Sequence, residues 1–169
     1  MAGGTPAAFE RAAPIFAALG RATLVGSAGS GQLAKLANQA IVAVTIGAVA
    51  EALLLAAAGC ADPAAVRQAI LDGFADSRVL ALHGNRMILR DFIPGGPADH
   101  QVKDCATIVA TAKAAGLTLP FAEIALALFQ DLVSPMAARA TTTARLFSSS
   151  SGVMRRPASA LRRTDCRRV

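Results

Sequence analysis

Lys35, Asn38 and Gln39 are the side chains whose types and spacing most readily do chemistry. They stand at i, i+3 and i+4 in an otherwise apolar stretch, so a helix carries all three to about the same side. An ammonium and two amides on one face hold a carboxylate or polarise a hydroxyl or carbonyl. A lysine partly buried near a helix N-terminus suits proton transfer. The same spacing also fits a snorkelling lysine with polar neighbours where a helix begins. Lys103 and Asp104 make a second charged pair close to the Pro94-Gly95-Gly96-Pro97 loop, and taken alone they read as a surface pair. His83, Asn85 and Arg86 read as a solvated helix face, and His100 as a loop or helix-start residue without a partner. Cys60, Cys105 and Cys166 are odd in number and widely spaced, so reduced thiols in a cytoplasm are expected, with no disulfide framework and no metal site.

Two phosphate-binding motifs touch the run Gly26 to Gly31. A Walker A loop needs Lys directly after its last glycine, and Gln32 stands there. Gly29 to Ala34 matches the opening of a dinucleotide fingerprint. That fingerprint also needs a helix, a second parallel strand and an acid near its end, about 20 residues on. Here one helical pattern continues through Glu51, so the glycines read as a hinge into a long helix.

The elements around these residues are mostly helical. Of the 169 residues, 54% are hydrophobic and only 4% aromatic, a bias that suits helix on helix and argues against a β-sandwich or barrel. Helices are expected over Ala7–Leu19, Gly31–Ala58, Asp62–Leu71, Ser77–Leu89, Asp99–Ala115 and Pro120–Val133, with a short strand at Ala22–Gly26. Ala40 to Gly59 has the look of a membrane span. Glu51 in its middle costs roughly 2.5–3.5 kcal/mol on insertion, so a helix buried inside a protein or dimer fits better, and no membrane partner is expected.

The formal charge of +6 is unevenly spread. Residues 1–133 hold nine Lys and Arg against ten Asp and Glu, whereas residues 134–169 hold eight arginines and a single acid, Asp165. The globular part therefore has no basic face for specific nucleic-acid binding. The Arg/Ser-rich tail shows no apolar stripe and reads as disordered.

Taken in order, Gly26, Gly29, Gly31, Lys35, Asn38 and Gln39, then Glu51-Ala-Leu53, Ser77-Arg78, Gln101, Lys103-Asp104, and Gly116 with Leu119-Pro120 resemble the β-hydroxyacid dehydrogenases. Lys35-Leu-Ala-Asn-Gln39, Ala75-Asp-Ser-Arg78 and His83-Gly-Asn-Arg-Met87 look most like the tartronate semialdehyde (2-hydroxy-3-oxopropionate) reductase branch. The resemblance covers about residues 1–133. It implies a mainly α chain: a long interdomain helix and an all-helical dehydrogenase C-terminal domain over 31–133, with a remnant of a Rossmann-domain edge over 1–30. It implies Lys35 as the catalytic proton donor or acceptor, Asn38 and Gln39 as substrate-binding, and Lys103 and Asp104 on the cofactor side. NAD or NADP is the implied cofactor, a small hydroxy acid the substrate, and a homodimer or a separate Rossmann half the partner.

Two departures shape the expectation. The dinucleotide fingerprint and substrate-binding segment of the Rossmann domain are missing, and hydride transfer needs the nicotinamide held against the substrate. Gly96 also stands where relatives often carry an aromatic. From Ser134 the family's ending is lost, and one back-translation of residues 135–151, shifted by a base, reads close to it. The chain is thus expected to be a truncated, cytoplasmic NAD(P)-dependent 3-hydroxyacid dehydrogenase, inactive alone, with a frameshifted tail. The alternative is a non-enzymatic helical dimerisation or complementation module.

Overall fold

The computed structural model describes residues 1–91 and 97–134. The loop residues Pro94, Gly95 and Gly96 and nearly all of the arginine-rich tail lie outside them. Six α-helices run in order: α1 Pro6–Leu19, α2 Ser30–Ala58, α3 Pro63–Ile70, α4 Asn85–Leu89, α5 Ala98–Ala114 and α6 Pro120–Val133. The helix expected over Ser77–Leu89 is present from residue 78 to 89, with a change of winding in its middle. Leu80–Gly84 forms a π-helical turn that leads into α4.

Local chemistry explains where the helices start and stop. The Thr5 hydroxyl accepts from the Ala8 amide, and the Asp62 carboxylate accepts from the Ala64 amide at 3.1 Å. Pro6, Pro63 and Pro120 occupy first helical positions, where no amide proton is needed. Gly29 caps α2 in the left-handed conformation, with φ of 91°, a geometry that lets the chain turn sharply into the helix without a Cβ clash.

The expected strand at Ala22–Gly26 is reduced to a single parallel bridge between Ala2 and Leu24. Three backbone bonds support it: Ala2 N–H to Thr23, Val25 N–H to Ala2, and Gly4 N–H to Gly26, each 2.9 Å. A strand needs a neighbour along its whole length, and the described residues supply one for only this short stretch. The sheet edge expected over 1–30 is thus present only as that bridge.

The core lies where α2 crosses α5 and α6. Ala43, Ile46 and Ala50 of α2 meet Cys105 of α5 and Ala125, Phe129 and Leu132 of α6. Ala43, Ala50 and Cys105 are almost fully buried, and their small volumes let the helices approach closely around Phe129. Val49 and Leu53, farther along α2, pack with Leu80 of the π-helical turn. α2 is long and apolar enough to cross a membrane. Here it contributes five side chains to the buried core, while Glu51 is exposed.

Arg67 of α3 holds the π-helical turn in place. Its Nε donates to the Leu80 carbonyl at 3.1 Å and its Nη2 to the Ala81 carbonyl at 2.7 Å. His83 and Arg86, expected on a solvated face, are half-buried instead, because this turn packs onto α2. Asn85 is exposed as expected, and so is His100 in the first turn of α5. Cys105 is a free, buried thiol.

Candidate active site

The five side chains singled out in the sequence form one connected hydrogen-bond network between α2 and α5. The Lys35 Nζ donates to the Gln39 Oε1 at 2.6 Å, one helical turn on. The Asn38 Nδ2 donates to the same oxygen at 2.9 Å. From its other end, the Gln39 Nε2 donates to the Asp104 Oδ2 at 2.7 Å, across 65 residues of sequence. The second carboxylate oxygen of Asp104 lies 3.5 Å from the Lys103 Nζ.

The helix register explains the arrangement. Asn38 and Gln39 follow Lys35 at i+3 and i+4, so all three share a face of the first turns of α2. Asp104 precedes the buried Cys105, which anchors this part of α5 against α2. The Asp104 side chain is 22% exposed and that of Lys103 is 74% exposed. Asp104 therefore works at the edge of the helix–helix contact, while Lys103 reaches into solvent. Lys35 itself is exposed, rather than partly buried as its place in an apolar helix suggests.

Beside Lys35 lies a cleft of about 420 Å³ lined by Met1, Gly3, Gly29, Gly31, Gln32 and Lys35. Its floor depends on a close backbone crossing. A Cβ on Gly3 would come within 2.5 Å of the Ser27 carbonyl and 2.8 Å of the Gly31 amide. Met1 and Gly3 carry no chemical signature in the sequence, and the crossing of segment 1–4 over the start of α2 brings them to Lys35, whereas Gln32 stands one helical turn before Lys35 on α2 itself. Gln101, one turn before Asp104, has a buried Oε1 without a hydrogen-bond partner. Its place in the Gln101, Lys103, Asp104 cluster is its only signal in the sequence.

Burial lowers the pKa of His83 from its ordinary value, helped by the nearby Arg86 cation. Burial raises that of the Cys105 thiol, with the Asp104 charge adding to it. Among the described residues no cluster of three or more His, Cys, Asp or Glu side chains is able to hold a metal ion.

Two ammonium groups joined through one network suit an anionic, phosphate-bearing nucleotide and a carboxylate substrate. Lys103 is exposed, and Lys35 lines the cleft. A parallel sheet with a glycine-rich pyrophosphate turn is not among the described residues. They fit the substrate-facing end of a dinucleotide cofactor and not its whole length.

The family model described as "NAD-binding of NADP-dependent 3-hydroxyisobutyrate dehydrogenase" matches residues 29–147. A 2-hydroxy-3-oxopropionate reductase of Escherichia coli K12 is 52% identical over 121 residues, covering 71% of this chain and 41% of the relative. A probable mitochondrial 3-hydroxyisobutyrate dehydrogenase-like protein of Arabidopsis thaliana is 36% identical over 131 residues, 78% of this chain and 39% of the relative. Among solved structures, a 3-hydroxyisobutyrate dehydrogenase from Salmonella typhimurium superimposes with a TM-score of 0.73 at 27% identity, covering 87% of this chain and 52% of that one. The chain thus spans about two fifths of the length of these curated relatives. It belongs to the 3-hydroxyisobutyrate dehydrogenase family of oxidoreductases, whose cofactor is NAD or NADP.

Proposed function

We propose that this chain supplies the helical, substrate-handling half of an NAD(P)-dependent 3-hydroxyacid dehydrogenase. The parent reaction is reversible hydride transfer between the cofactor and a small 3-hydroxy acid or its semialdehyde, as in a tartronate semialdehyde reductase. The observation that carries the reading is the network that ties Lys35 through Gln39 to Asp104 and Lys103 beside the cleft. The activity for which the 52%-identical relative is named, 2-hydroxy-3-oxopropionate reduction, supports the substrate class.

NAD or NADP, when bound, supplies the hydride acceptor, or the donor in the reverse direction. The chain's own residues handle the proton and the substrate. In the oxidation direction the Lys35 amine takes the hydroxyl proton as the carbon gives up its hydride. In reduction the Lys35 ammonium gives a proton to the carbonyl oxygen. Gln39 occupies one of the three ammonium protons, which leaves the others for a substrate oxygen. Asn38 and Gln39 orient the substrate, and Lys103 and Asp104 flank the cofactor side.

Hydride transfer needs a nicotinamide held against the substrate. In this reading residues 1–30 are the edge of a Rossmann domain whose sheet is completed by other residues, and the 169-residue chain alone turns over no hydroxy acid. The protein works in the cytoplasm as a dimer, and the tail beyond Ser134 is a frameshifted form of the family ending. The test is complementation. The chain is mixed with the sheet domain of the Escherichia coli relative, tartronate semialdehyde and reduced nicotinamide cofactor. Oxidation of the cofactor with both parts, and with neither part alone, is the expected result. No gain on mixing overturns the reading.

A second reading, a non-enzymatic association module, has one observation in its favour. Ile41 and Phe121 are 69% and 73% exposed. They flank an apolar groove of about 370 Å³ together with Ala40, Val44, Leu119 and Ala122. Such a surface favours association. It is compatible with either reading, since a dehydrogenase half also needs a partner.

A further inference from the structure

We infer that Asp104 is a positioning residue that acts through Gln39 to aim Lys35. This deepens the functional reading given above and rests on it for the role of Lys35.

The inference starts from the two ends of one amide. Gln39 accepts from Lys35 and Asn38 with a single oxygen and donates to Asp104 with its nitrogen. An amide can turn over about its last bond, exchanging oxygen and nitrogen. Turned over here, its N–H₂ would face the Lys35 ammonium and the Asn38 amide, donor against donor. Its oxygen would face the Asp104 carboxylate, acceptor against acceptor. A carboxylate accepts only, so Asp104 selects one orientation. That orientation alone leaves an acceptor where the Lys35 ammonium arrives.

Burial concentrates the effect at Gln39 and Asp104. Both are partly buried, so their hydrogen bond competes less with water than the exposed Lys35 contact does. The adjacent Lys103 is mostly exposed and 3.5 Å from the other carboxylate oxygen, a contact of little strength. Asp104 is thus the anchor, Gln39 the arm, and Lys35 the group held. The lysine sits on a flexible stem, and among the described residues its hydrogen bond to Gln39 is what fixes its direction.

The test measures Lys35 directly, without cofactor or turnover. The full chain is labelled with a limiting amine reagent, and modification of Lys35 is compared with that of Lys113, an exposed reference on the same molecule. Asp104→Ala frees the arm, and Lys35 labelling relative to Lys113 is expected to rise roughly fivefold, in line with loss of one solvent-exposed hydrogen bond of ordinary strength. The exchanged pair Gln39→Glu with Asp104→Asn rebuilds the pattern. A carboxylate at 39 accepts from Lys35, Asn38 and the new amide at 104. Lys35 labelling is expected to return to within twofold of the wild-type ratio. Gln39→Glu alone sets two carboxylates face to face and is expected to lower the melting temperature, which the exchanged pair recovers.

Unchanged Lys35 labelling in a folded Asp104→Ala chain overturns the inference. If that variant does not fold, the exchanged pair decides: melting and labelling equal to the sum of its two single changes overturn the inference equally. Failure of the dehydrogenase reading would look different. The labelling pattern would persist, while tartronate semialdehyde with nicotinamide cofactor and the sheet domain would give Lys35 no protection.

Discussion

His83 lies in the π-helical turn with its imidazole half-buried near Arg86, and both burial and that cation hold its pKa below the ordinary 6.5. The unfolded chain therefore binds a proton at this histidine more readily than the folded one. Stability falls as pH drops below about 6.5 and levels off once the folded-state pKa is passed. His83→Gln is expected to flatten this part of a melting-temperature profile. Equal slopes in the two proteins would contradict the account. Cys105 behaves in the opposite sense. Its thiol pKa is raised in the fold, so the unfolded chain loses the proton first and stability declines as pH rises above about 9. Being buried where α5 meets α2 and α6, Cys105 is expected to resist an alkylating reagent until the chain unfolds.

Two elements depend on contacts that local sequence does not encode. The π-helical turn at Leu80–Gly84 has two carbonyls captured by Arg67, 13 and 14 residues away. Arg67→Ala removes hydrogen bonds from a charged donor and is expected to destabilise the chain by about 1.5–3 kcal/mol, read by denaturant unfolding. The crossing of segment 1–4 over the start of α2 depends on Gly3. Gly3→Ala is expected to speed hydrogen exchange at Ala2, Gly4 and Val25, whose amides join the two segments, while the helical core melts nearly as before.

Those elements also mark the limit of what was legible. The start of α2, the shared face of Lys35, Asn38 and Gln39, and the helix starts at Asp62 and Pro120 follow from spacing and side-chain chemistry. The helix expected over Ser77–Leu89 formed, but its π-helical winding at Leu80–Gly84, where Arg67 reaches it from another helix, has no local signal. The strand at Ala22–Gly26 failed because pairing, not propensity, makes a strand. The link between Gln39 and Asp104 spans 65 residues, and no periodicity predicts it. Resemblance to the dehydrogenase family brought Asp104 forward, and the geometry gave it a partner.

At the scale of the whole molecule, Phe129 is the largest side chain in the core formed by α2, α5 and α6. Phe129→Ala is expected to cost about 3–5 kcal/mol of stability, seen as a lower denaturant midpoint. Among the described residues, the apolar groove beside Ile41 and Phe121 leaves that side of α2 and α6 without cover. Phe121→Glu is expected to weaken self-association in sedimentation while leaving the helical content intact.

The most direct test of that account is the rate of the complemented assembly with Lys35→Ala. If Lys35 moves the substrate proton, kcat falls by about 10²–10⁴-fold with KM little changed, as expected for loss of a general acid–base group. A Lys35→Ala assembly that turns over within about threefold of the wild-type rate would contradict the central claim.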